Sequence, residues 1–127
     1  MNTVTVSKTI RTPWNTSGYE YIVRGVLGSR YTLSIVLIGD KRSHTLNNDY
    51  RKKDKPTNVL TFPLDTTSAE IFINIAQVRR DAKKNGFSKS NYAKYLLIHG
   101  CLHLKGYTHG STMEKAEDAF IKKYNLR

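Results

Sequence analysis

The sequence predicts an α+β fold: a small mixed four-stranded sheet packed with about five helices, in the order β-α-β-α-β-β-α-α-α. Three observations predict it. Tyr31–Ile38 and Ala69–Ile75 are apolar or cleanly alternating over strand length. Helix starts and stops punctuate the segments between and after them. No repeat, low-complexity tract or linker interrupts the 127 residues, which suit one domain, expected over 1–127.

Thr3–Val6 alternates and reads as a short first strand. Thr12-Pro13 reads as a helix start, with Thr12 as cap and Pro13 in the first turn, and the helix is expected to run to about Leu27, before Gly28. Tyr31, Leu33, Ile35 and Leu37 share one face of the second strand. Val36 and Ile38 make its other face apolar, as in a central strand buried on both sides. Asp40 reads as the cap of a helix to about Tyr50, and Arg51–Thr57 as a polar loop. Asn58–Pro63 is the third strand, with Pro63 restricted to an end or an edge. Asp65–Ser68 is a turn, and Ala69, Ile71, Ile73 and Ile75 share a face of the fourth strand. The short link favours an antiparallel hairpin, and each β-α-β step favours parallel strands with a right-handed crossover.

Three helices follow. The first covers about Ile75–Lys84 and stops at Asn85-Gly86. The second opens at Ser88, with Phe87 and Tyr92 as a hydrophobic staple, and ends at Gly106. Ser111-Thr-Met-Glu114 reads as a capping box opening the third.

Charge and cysteine content narrow the class. The formal net charge is +11, spread over both halves of the chain, and it points to a polyanionic partner, most often nucleic acid, or simply to a basic, soluble surface. One cysteine, Cys101, excludes an intramolecular disulfide framework. No apolar run approaches the length of a membrane span, and the N-terminus lacks a signal-peptide apolar stretch, so a soluble cytoplasmic protein is expected.

The strongest chemical signal is a histidine cluster. His99 and His103 are four apart, so they share one helix face, and Gly106 can turn the chain back so that His109 returns as a third ligand. The spacing H-x3-H-x2-G-x2-H matches a zincin-like metal helix, and three nitrogens with an open fourth position is the arrangement of catalytic zinc. The bland alternative is two core histidines and a loop histidine. The helix around them is apolar almost all round, where unpartnered imidazoles are costly and a shared metal supplies the partner. Metallopeptidases place Glu directly after the first histidine as general base; here that residue is Gly100, which speaks against peptide hydrolysis.

His99-Gly-Cys-Leu-His103-Leu-Lys-Gly106-Tyr107-Thr-His109 resembles the signature H-G-x-L-H-L-x-G-Y-D-H of the YbeY family, the bacterial rRNA maturation endoribonucleases. The block from Leu46 to Pro63, with Tyr50-Arg51 and Pro56-Thr57-Asn58-Val59-Leu60 in it, is similar to the family's L-N-x-x-Y-R-x-K-D-x-P-T-D-V-L-S-F-P. The resemblance covers residues 31–127, and residues 1–30 fit by general pattern. It implies one zinc ion (Zn2+) per chain, held by His99, His103 and His109, and Arg51 as the functional arginine. It implies a metal-dependent, single-strand-specific endoribonuclease acting in 16S rRNA 3′-end maturation and ribosome quality control. The expected partners are single-stranded RNA, rRNA and ribosomal subunits, with no membrane and no DNA specificity. Thr108 stands where the family has Asp beside the third ligand, Asn58 where Asp is common, and Glu70 where a strand Asp is common.

The residues themselves agree in kind. Zinc acidifies water and polarises phosphoryl oxygens, and a planar guanidinium such as that of Arg51 can hold two phosphate oxygens. Lys52, Lys53 and Lys55 read as backbone-binding charges or a solvated loop, and Asp54 as their partner. Glu70 is either a base at the site or an exposed strand carboxylate. Glu114 reads as the partner of Ser111. Glu117 and Asp118 face solvent, or one of them orients a ligand histidine. Cys101, roughly 200° round the helix from His99, reads as a buried thiol facing away. His44 reads as isolated and exposed. Among the eight tyrosines, Tyr107 is the first candidate to stack on a base. Arg79, Arg80, Lys83 and Lys84 extend a phosphate track or simply face water. Two alternatives stay open: a non-catalytic, zinc-stabilised rRNA-binding assembly factor, and a metallopeptidase.

Overall fold

The computed structural model describes residues 3–127; Met1 and Asn2 lie outside the described residues. The elements are β1 (Val4–Lys8), α1 (Tyr19–Leu27), β2 (Thr32–Ile38), α2 (Asp40–Arg51), β3 (Val59–Asp65), β4 (Ser68–Asn74), α3 (Ile75–Asp81), α4 (Lys89–Leu104) and α5 (Ser111–Lys123), with a single 3-10 turn at Lys83–Asn85. The expected order and class therefore hold. No helix among the described residues is long and apolar enough to cross a membrane.

The sheet order is β1-β2-β4-β3. β1 and β4 both run parallel to β2, which is central as its two apolar faces require. β3 pairs antiparallel with β4 only, at the edge, so the β2-α2-β3 step does not give the parallel pair expected of it. The tight link after Asp65 decides this: the Asp65 carboxylate accepts from the Thr67 amide at 2.8 Å, closing a hairpin. Pro63 lies on that edge strand, where its missing amide costs no ladder bond, and the register shifts between Pro63 and Asp65.

The first helix begins later than Thr12-Pro13 suggests. The Asn15 side chain accepts from the Ser17 amide at 2.9 Å and Gly18 takes a left-handed conformation (φ 88°), so the chain turns before helix can form. The Trp14 indole then donates to the Tyr19 hydroxyl at 3.0 Å. Asp40 does not cap α2. Its carboxylate is taken by Arg80 in two bonds of 2.8 and 2.7 Å and by the Asn74 amide at 2.8 Å, joining α2, α3 and the end of β4. Asn74 in turn caps α3 by accepting from Ala76 and Gln77. The Ser111–Glu114 capping box does not form either, because Ser111 is already inside the helix and Gly110 occupies the cap.

Each sheet face carries its own core. Leu33, Ile35, Leu37, Ile71 and Ile73 are fully buried beneath α1 and α4. Ile38, Leu46, Leu60 and Phe72 form a smaller cluster under α2. α4 packs against α1, α3, α5, β3 and β4, which is why it is apolar almost all round and why the Cys101 side chain is wholly buried. Burial pushes the Cys101 thiol well above its ordinary value. Its N-terminus is built as the sequence suggests: Ser88 Oγ accepts from the Asn91 amide at 3.1 Å, and the Phe87 and Tyr92 rings meet at 5.6 Å.

The crossing of α4 over the hairpin is tight. A Cβ on Gly100 would lie 3.0 Å from both Ile71 Cδ1 and Thr61 Oγ1. Gly100→Val should therefore lose about 1–3 kcal/mol, the usual cost of overpacking a core. Urea unfolding checks this, and a variant as stable as the parent would mean the strands give way freely.

Candidate metal centre and basic cleft

α4 presents His99 and His103 on one face, and the turn after it brings back His109. Gly106 is left-handed (φ 98°), and the Gly106 and Tyr107 amides donate to the carbonyls of His103 and Leu102 at 3.0 and 3.1 Å. One nitrogen from each of His99, His103 and His109 lies within 4.8 Å of the others. The three ring centroids are 4.7, 5.4 and 4.8 Å apart.

Partners behind the rings fix their tautomers. His99 Nδ1 donates to the Glu117 carboxylate at 2.6 Å, and His103 Nδ1 donates to the Tyr107 carbonyl at 3.0 Å. Both Nε2 atoms then carry lone pairs, and they face each other at 3.2 Å. Two lone pairs at that distance repel unless a cation lies between them. Burial, ahead of the neighbouring histidines, holds His103 below its ordinary value. The spacing suits a metal ion: tetrahedral nitrogens about 2.0–2.1 Å from zinc lie about 3.3–3.4 Å apart. The donor set therefore fits a metal.

Glu117 comes from α5 and is 7% exposed, not solvated. Met113, Glu117 and Ile121 are spaced four apart and form the buried stripe of that helix. That stripe was readable in the sequence and marks the one carboxylate of α5 that faces inward. The Tyr95 phenol is pushed up to about 12, first by burial and then by the Glu117 charge. A carboxylate behind a metal-facing histidine fixes its orientation and raises its basicity. Thr108 stands beside His109, and the carboxylate from α5 supports His99.

The histidines open into a cleft of about 670 Å³. Its lining also includes Arg51 and Lys53, with Thr57, Asn58, Val59 and Thr61. Arg51, the last residue of α2, lines the same cleft as the histidines. Lys52 and Lys55 do not line it. No carboxylate lines it among the described residues, and position 100 is packed on the sheet, so the glutamate base of H-E-x-x-H peptidases has no counterpart.

Other expectations are corrected. Glu70 points to the opposite sheet face, beside Phe62 and Phe72, one residue out of phase with Ile71. Asp54 pairs with His44 at 2.6 Å rather than with a lysine, so His44 is not isolated. Tyr107 packs on the core and serves the site through its carbonyl. Arg80 is held by Asp40, Arg79 lies 5.5 Å over the Trp14 ring, and Lys84 pairs with Asp81 at 3.1 Å, so these residues are engaged in the fold.

The basic loop between α2 and β3 is clamped from beneath by buried polar groups. Ser43 Oγ donates to the Thr57 carbonyl at 2.8 Å and accepts from the Thr57 amide at 2.9 Å. Asn47 donates to the Lys55 carbonyl at 2.8 Å, and Asn74 to the Thr57 carbonyl at 3.1 Å. Ser43, Leu46 and Asn47 are the buried residues of α2. A helix face that is mostly polar looks solvated in sequence; only the loop folding over it reveals the need.

The fold and site together define a small α+β protein with three histidines close enough to hold a metal ion at the end of a basic cleft. The chain belongs to the YbeY family: residues 6–125 match the family described as Endoribonuclease YbeY. Curated relatives bearing that name include one from Colwellia psychrerythraea, 36% identical over 94 residues, covering 68% of this chain and 61% of the relative. Another, from Nitratiruptor sp., is 39% identical over 101 residues, covering 74% of this chain and 70% of the relative. For the Colwellia relative, and one from Burkholderia ambifaria at 58%, the chain spans about three fifths of the relative's length. A solution structure of a Thermotoga maritima protein shares the fold, with a TM-score of 0.66 at 24% identity, covering 94% of this chain and 87% of that one.

Ser43→Ala should strip the Thr57 amide of its buried partner, while the carbonyl keeps Asn74, and cost about 1–3 kcal/mol. Amide exchange at Thr57 should quicken well before global unfolding. Unchanged exchange there would show that the loop is held by other contacts.

Proposed function

We propose that this protein is a zinc-dependent endoribonuclease that cuts single-stranded RNA in the cytoplasm, with 16S rRNA 3′-end maturation and ribosome quality control as its role. The observation that carries the reading is the convergence of three imidazole nitrogens into a cleft whose charged side chains, Arg51 and Lys53, are cationic. The name of the curated relatives supports it.

In this reading His99, His103 and His109 hold one zinc ion. When bound, the ion supplies Lewis-acid polarisation of a phosphoryl oxygen and acidifies a water towards neutral pH. The chain's own residues do the rest. Glu117 and the Tyr107 carbonyl hold the Nδ1 protons of His99 and His103, keeping both Nε2 lone pairs aimed into the cleft. Arg51 offers a planar fork to the phosphate and stabilises the charge that grows on it in the transition state. Lys53 draws the neighbouring backbone in by charge. The clamp on the loop keeps both cations at the cleft without reorganisation. Ribosomal subunits are the proposed setting, since rRNA is the substrate class.

Elemental analysis should find about one zinc per chain, lost in His103→Ala. Glu117→Gln should keep the fold but bind zinc about 10–100-fold more weakly, the usual effect of removing such a partner. Arg51→Ala should bind zinc normally yet cleave single-stranded RNA about 100-fold more slowly, as when one donor to a developing oxyanion is removed. Full cleavage by Arg51→Ala would remove Arg51 from the chemistry. Intact RNA after incubation with zinc-loaded parent protein would overturn the enzyme reading and favour a non-catalytic RNA-binding factor.

A further inference from the structure

On the far side of β3 from the histidines lies a second groove of about 430 Å³. Its rings are Tyr50, Phe62 and Phe72, stacked edge to face in series with centroids 5.2 and 5.6 Å apart. Tyr50 is 68% exposed and Leu64 65%, although both flank a core cluster. Arg42 and Glu70 border the same groove, and neither has a partner among the described residues. A donor and an acceptor of opposite charge, left unpaired around exposed aromatic rings, suit a flat ligand with a polar edge.

The groove adjoins the cleft across β3. Pro63 lines both, and Tyr50 directly precedes Arg51. Along β3, Val59, Thr61 and Pro63 face the cleft while Phe62 and Leu64 face the groove. The edge strand is thus the ridge between a cationic cleft and an aromatic shelf, and a flexible polyanion bound in one can pass over the ridge into the other.

We propose that the groove is a nucleobase subsite: a base next to or near the phosphate in the histidine cleft stacks on Tyr50 and Phe62, with its polar edge between Arg42 and Glu70. The proposal rests on the RNA reading above and deepens it. It accounts for a preference for single strands, because a paired base cannot turn aside to reach the shelf. It also gives Glu70 a task as an acceptor for exocyclic amino groups.

The test is binding of a short single-stranded RNA whose ribose hydroxyls are methylated to prevent cleavage, with a fluorescent adenine analogue at successive positions. Tyr50→Ala should weaken binding about tenfold, within the range of lost stacking on one base, and abolish quenching at one position. Its salt dependence should match the parent's, and Tyr50→Phe should restore both affinity and quenching. Lys53→Ala should instead flatten the salt dependence, as the loss of a phosphate contact does. If Tyr50→Ala binds like the parent while Lys53→Ala is weakened, the RNA reading stands and the subsite is overturned. If the parent protein binds no single-stranded RNA even at low salt, the RNA reading fails and the subsite with it. If sedimentation shows a parent dimer that Tyr50→Ala dissociates, the groove seats a second copy of the chain, and the proposal is overturned in favour of that interface.

Discussion

At Gly100 the backbone of α4 comes so near the β3–β4 hairpin that a Cβ would press on Ile71 and Thr61 at 3.0 Å. That approach positions much else. It brings His99 and His103, the neighbours of Gly100 on the helix, level with the edge strand whose Thr61 and Val59 line the cleft. The cleft is the gap between this helix and a loop that enters β3 from the other side. A side chain at position 100 requires Ile71 and Thr61 to give way. The same closeness removes the place a peptidase glutamate would occupy, so one packing constraint both builds the site and limits its chemistry.

The site is held from behind on two sides by buried polar groups. On the metal side, Glu117 and the Tyr107 carbonyl commit each Nδ1, leaving two Nε2 lone pairs in repulsive apposition at 3.2 Å. A metal ion placed between them relieves that repulsion. On the cation side, Ser43, Asn47 and Asn74 bind loop carbonyls from below, so the positive charges of the loop are carried by a backbone that is itself satisfied. The side chains that line the cleft thus rest on hydrogen bonds one layer down, one of them to the Glu117 carboxylate.

Much of this was legible in the residues. Helix spacing put His99 and His103 on one face, Gly106 marked the reversal, and the two-sided apolarity of Tyr31–Ile38 placed β2 in the centre of the sheet. Local signals misled where tertiary partners outbid them. Asp40 reads as a cap until Arg80 and Asn74 claim its carboxylate, forty and thirty-four residues away. Thr12-Pro13 reads as a helix start, but Asn15 and Gly18 turn the chain first. Glu114 was the evident partner of Ser111, whereas Glu117, on the Met113–Ile121 stripe, is the carboxylate that matters.

By itself the sequence determined the element order, the apolar faces, the charge and the three-histidine spacing, because these follow from periods of two and 3.6 residues and from side-chain chemistry at short range. The tertiary structure alone decided that β3 is an antiparallel edge strand, that Arg51 and Lys53 share a cleft with the histidines, that Glu117 stands behind His99 and that Glu70 does not. Those outcomes depend on which surfaces bury one another across tens of residues, and no local period encodes that.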